Sequence, residues 1–63
     1  MYKLVDNRDE KRRRNYLILA ENFYLDEDKE RAVKFFEKAL EFEGPKKETI
    51  SILFNIAILY DEL

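Results

Sequence analysis

Residues 16–45, YLILAENFYLDEDKERAVKFFEKALEFEGP, decide the fold. Tyr16, Leu19, Ala20 and Phe23 stand at helical spacing, and Ala32, Val33, Phe36, Ala39 and Leu40 resume it after the acidic break Asp26-Glu27-Asp28. Large and small apolar residues alternate as two helices require when they pack antiparallel across a short turn. The only glycine and the only proline are adjacent, at Gly44-Pro45. A glycine there is suited to the left-handed conformation that closes a helix. Proline is suited to the first position of the next.

Working outward, Asn7 followed by Glu10 fits a capping box, and Asp9 and Glu10 suit the positive end of a helix dipole. The reading is all-α within one small domain spanning 1–63: a tail over 1–6, then helices over about 7–25, 28–43 and 46–62. The third helix is unusual, because ten of the fourteen residues from Ile50 to Leu63 are apolar. At 100° per residue, Ser51, Asn55 and Glu62 share one narrow arc, and most of the remaining circumference is Ile, Leu, Phe, Ala and Tyr. A surface helix needs an apolar arc of little more than about 100°. Two neighbouring helices cannot cover this one.

Sixty-three residues make a small domain, and such a chain buries only about 60% of the surface its unfolded form exposes. Stability then calls for a disulfide, a metal or a partner chain. Cysteine and histidine are both absent, which excludes a disulfide and a Cys/His zinc site. Association is the remaining route. The apolar run Ile56–Tyr60 is far shorter than the roughly 20 residues of a membrane span, and the N-terminus lacks a signal-peptide core. A cytoplasmic protein with no membrane partner is expected. Formal net charge is −2, with +3 in residues 1–16, −4 in 17–44 and −1 beyond. Charged residues reach 41%, glutamine is missing along with Cys, His and Trp, and the bias resembles that of thermophile proteins.

On these residues the chain resembles the tetratricopeptide repeat family. That family's pattern is a large residue, Leu, a small residue and Tyr on helix A, then Ala, an aromatic, Ala and Pro on helix B. Tyr16, Leu19, Ala20 and Phe23 match the first set, and Ala32, Phe36 and Ala39 the second, with Pro45 one residue late. A second start follows at Leu53, Ile56, Ala57 and Tyr60, so the match covers one repeat and the first helix of another. The resemblance implies a right-handed stack whose repeat core comprises Tyr16, Leu19, Ala20, Phe23, Ala32, Phe36, Ala39, Ile56, Ala57 and Tyr60. It implies a non-enzymatic module that holds other proteins. Family members that grip a C-terminal carboxylate carry Lys and Asn where this chain has Leu17 and Glu21, so that clamp is not expected. Groove positions read instead as Leu17, Glu21, Tyr24, Phe54, Asn55, Ile58 and Asp61, a surface suited to an amphipathic helix.

The excess apolar perimeter of the third helix predicts self-association, most simply a two-fold homodimer buried at Leu53, Phe54, Ile58, Leu59 and Leu63. A small adaptor or chaperone holding a helix of another protein is the alternative. Lys11-Arg12-Arg13-Arg14 is a possible anion contact, and a nucleic-acid binder using it is a third reading. A solvated helix end explains that run better, since the whole chain is acidic. Phe35 is expected on the flank of helix two as a second contact surface. Asp26, Glu27, Asp28 and Glu30 lack the spacing of a calcium loop and read as helix caps. With no phosphate loop and no His or Cys, neither catalysis nor a small-molecule substrate, cofactor or metal is expected.

Overall fold

A computed structural model describes residues 7–63. The chain is all-α, with α1 at Asn7–Leu25, α2 at Lys29–Ala39 and α3 at Lys46–Glu62. The expected tail over 1–6 lies outside the described residues, and so does the Asn7 side chain on which the capping box depends.

α1 and α2 form a tight hairpin whose turn is built from backbone. Glu27 N–H donates to the Tyr24 carbonyl at 3.1 Å, and Asp28 N–H donates to the Phe23 carbonyl at 2.8 Å. This pair of bonds is a Schellman closure, which needs a left-handed residue after the helix. Glu27 supplies it with φ 63°, a conformation that normally favours glycine. Asp28 then caps α2, its Oδ1 accepting from the Arg31 N–H at 3.3 Å.

Helix two ends earlier than the sequence suggests, at Ala39 rather than 43. Glu41 N–H donates to the Lys38 carbonyl and Phe42 N–H to the Ala39 carbonyl, both at 3.1 Å, so the last turn tightens into three-residue bonds. Gly44 does not take the left-handed conformation expected of it. Its role is steric: a Cβ there would sit 2.6 Å from Arg13 Nη1 and 2.8 Å from Arg13 Cδ and Cζ. Pro45 precedes α3 as its N-cap instead of opening it, and its carbonyl accepts from the Thr49 N–H at 3.0 Å.

Ala20 of α1, Ala32, Val33 and Phe36 of α2, and Ile52, Ile56 and Leu59 of α3 form the buried core. Ala20, Ala32 and Ala39 are wholly buried, which lets the first two helices approach closely. Along the α1–α2 seam four rings lie in sequence. Phe42 faces Tyr16 at 5.8 Å, Tyr16 faces Phe35 at 6.1 Å and Phe35 faces Phe23 at 5.3 Å, all stacked. The Arg31 guanidinium closes the row 5.7 Å from the Phe23 ring centre. Stacked pairs add about 0.5–1.5 kcal/mol each beyond their burial. Phe35 is therefore a half-buried part of the hairpin and not an exposed contact surface.

α3 packs against α2 and reaches α1 only through side chains. Its inward face is Ile52, Ile56 and Leu59.

Candidate protein-docking surface

Opposite that inward face, α3 is bare. Ile50, Leu53, Phe54, Ile58 and Tyr60 are each between 40% and 65% exposed, and Ala57 lies open among them. At 100° per residue they occupy one continuous arc of about 160°. Single exposed apolar residues are ordinary, but this face is contiguous along the helix.

The register of this face carries information. In α1, Tyr16, Ala20 and Phe23 are the residues turned to α2, with Tyr16 and Phe23 stacked on its rings. The residues 37 positions later are Leu53, Ala57 and Tyr60, all on the bare side of α3. The face by which α1 holds a helix recurs on α3 at residues that are all exposed, with the Tyr60 hydroxyl bonded to Glu37 at the edge of α2.

A small cleft adjoins this surface between α1 and α3. Glu21 and Tyr24 line one wall, Asn55, Ile58 and Leu59 the other, with Phe36 beneath, enclosing about 100 Å³. Small-molecule sites measure about 300–1,000 Å³, so this cleft is smaller than such a site. Of the residues expected in a groove, Glu21, Tyr24, Asn55 and Ile58 converge here. Leu17 packs against the core instead, Phe54 faces away on the bare side of α3, and Asp61 lies beyond the cleft.

Several sequence expectations change. Leu59 was expected between chains but is 1% exposed, because it points into the hairpin beside Phe36. Leu53, Phe54, Ile58 and Leu63 stay exposed. Leu19, Ala57 and Tyr60 were expected in the repeat core and are exposed. Tyr60 is held at the α2 edge, where its hydroxyl donates to Glu37 Oε2 at 2.8 Å. That bond to a carboxylate, with smaller desolvation and charge effects, raises the phenol above its ordinary value of 10.0. Val33, Ile52 and Leu59 fill the core without belonging to the repeat pattern.

The basic run also divides. Lys11, Arg12 and Arg14 are exposed, with Arg12 3.7 Å from Asp9. Arg13 is 3% exposed and is not available to an anion. Its Nη1 donates to the Phe42 carbonyl at 3.2 Å and its Nη2 donates to the Thr49 hydroxyl. Its Nε lies 3.0 Å from Glu48 Oε1 but off the N–H direction, so the contact is ionic and not a formed hydrogen bond. One guanidinium thus ties α1 to the α2–α3 connection and to the first turn of α3, in the space that Gly44 leaves open. Arg13 precedes Ala20 by seven residues, two helical turns on the core face, and that spacing is the signal in the sequence.

No protein-family model matches the chain, and neither a curated protein nor a solved structure resembles it significantly. No described helix is long and apolar enough to cross a membrane.

Proposed function

We propose that the chain is a non-enzymatic protein–protein interaction module of tetratricopeptide type, which docks through the outer face of α3 onto a second copy of itself. The observation that carries this is the bare arc Ile50, Leu53, Phe54, Ala57, Ile58 and Tyr60, in which Leu53, Ala57 and Tyr60 repeat the register by which α1 holds α2. In this reading α3 is the first helix of a second repeat in a right-handed stack, and its missing partner helix is supplied by association. The occupant is a second copy because the apolar ridge is symmetric. Ile50, Phe54 and Ile58 are evenly spaced, so the ridge reads alike from either end, as an isologous two-fold contact requires. The exposed Lys11, Arg12 and Arg14 belong to a solvated helix end, and the protein works in the cytoplasm, where a thermophilic setting suits its charge-rich composition.

Size sets the strength. Seventeen residues of α3 give a ridge about 25 Å long and about 10 Å wide. Stable interfaces bury about 1,200–2,000 Å² in total, and two such ridges offer well under that, so the dimer is weak and concentration-dependent. Sedimentation velocity from low to high micromolar concentration is the test. A monomer–dimer equilibrium is expected in the native chain, and Phe54→Glu is expected to be monomeric with its helical circular dichroism retained. A chain that stays monomeric throughout, or a Phe54→Glu variant that pairs as well as the parent, overturns the reading.

A further inference from the structure

The charges at the two ends of α3 fix how such a pair is arranged. The first turn carries Lys46 and Lys47, and the last carries Asp61 and Glu62 with no basic residue. Both ends are the wrong sign for the helix's own dipole, which favours acids at its N-terminus and bases at its C-terminus. Glu48, the one acid of the first turn, is occupied by Arg13, and Glu62 lies 3.7 Å from Lys29. Among the described residues, Lys47 and Asp61 have no ion-pair partner.

Lys47, Ile50, Phe54, Ile58 and Asp61 form one ridge on the bare face, with spacings of three, four, four and three residues. The order is a mirror about Phe54 in position and opposite in charge at the tips. We infer that Lys47 and Asp61 are the specificity-determining residues of an antiparallel α3–α3 pairing, in which Phe54 meets its counterpart on the two-fold axis. Ile50 then meets the second chain's Ile58, and Lys47 meets its Asp61 at both ends. Each lysine gains a carboxylate and the negative end of the neighbouring dipole, relieving the misfit that the isolated helix carries. A parallel pairing sets lysine against lysine and aspartate against aspartate. Arrangement by rim charge with an apolar centre is how helix pairs select partner and orientation. This inference rests on the self-association proposed above.

Two independent sets of variants test it. K47E and D61K each place like charges at both ends, and each is expected to weaken dimerisation by about tenfold or more. Mixing the two variants restores complementary tips at both ends of the heterodimer, so equimolar K47E and D61K are expected to associate about as well as the parent. The native chain has no cysteine, which allows the register to be read by oxidation. F54C is expected to cross-link to itself. I50C and I58C are expected to cross-link when mixed and not when either is oxidised alone. A dimer in which I50C and I58C each link to themselves, or in which mixing K47E with D61K restores nothing, overturns the antiparallel register while leaving self-association standing. Native chain that sediments as a monomer at every concentration overturns both.

Discussion

Arg13 and Gly44 should be energetically coupled, and the coupling follows from distances in the structure. Arg13→Ala deletes two charge-assisted hydrogen bonds, each worth about 1.5–3 kcal/mol. The Glu48 side chain is 40% exposed, so its ionic contact is screened and adds little. The Phe42 carbonyl and the Thr49 hydroxyl regain water in part, which leaves a cost of about 2–4 kcal/mol. A chain of this length has roughly 3–9 kcal/mol of stability in all, so the loss is a large share. Gly44→Ala in the parent brings a Cβ to 2.6 Å from a guanidinium pinned by those same bonds, an overpacking worth about 1–3 kcal/mol. With Arg13 gone the obstacle is gone. Gly44 does not have a positive φ, so alanine fits there and stabilises by about 0.4–1 kcal/mol. The two effects of Gly44→Ala differ in sign, giving a coupling of about 1.4–4 kcal/mol in a double-mutant cycle. Urea unfolding followed by circular dichroism at one fixed protein concentration measures it. A Gly44→Ala cost that is the same with and without Arg13 refutes the close-approach account of this glycine.

Glu27→Gly relieves a left-handed backbone at the α1–α2 turn and should stabilise the chain by about 0.5–1 kcal/mol in urea unfolding, while Glu27→Val should destabilise it. Leu59→Ala should cost about 2–5 kcal/mol because the side chain is buried in the core, whereas Leu53→Ala should leave monomer unfolding nearly unchanged. The hydrogen bond to Glu37 raises the Tyr60 phenol above 10.0, so its contribution is present below that pH and is lost as pH rises through the raised value. Tyr60→Phe should therefore show a smaller alkaline loss of stability than the parent, measured by thermal unfolding across alkaline pH. Neutralising Lys11, Arg12 and Arg14 together should leave self-association unaltered by sedimentation; a collapse of the dimer in that variant counts against the α3 surface.

The hairpin and its turn were legible in residues 16–45 and the third helix in 46–62, because apolar period and caps are local properties of the chain. The same holds for the apolar excess of α3, a count of residues around one helix. Local pattern could not say which part of that excess turns inward. Leu59 and Ile52 bury while Leu53 and Tyr60 do not, because the rotation of α3 about its axis is set by what fits against Ala32, Val33 and Phe36. Arg13 is set apart from the other three cations in sequence only by its two-turn spacing to Ala20, and what it meets there, the space beside Gly44, is a matter of packing. The left-handed residue also moved from the glycine to Glu27, since the tight α1–α2 closure demands it and the α2–α3 connection does not. Spacing and caps along the chain fix three helices and leave the third with more apolar surface than its neighbours cover. Tertiary structure alone decided which faces meet, because burial is a property of neighbours brought together from distant parts of the chain.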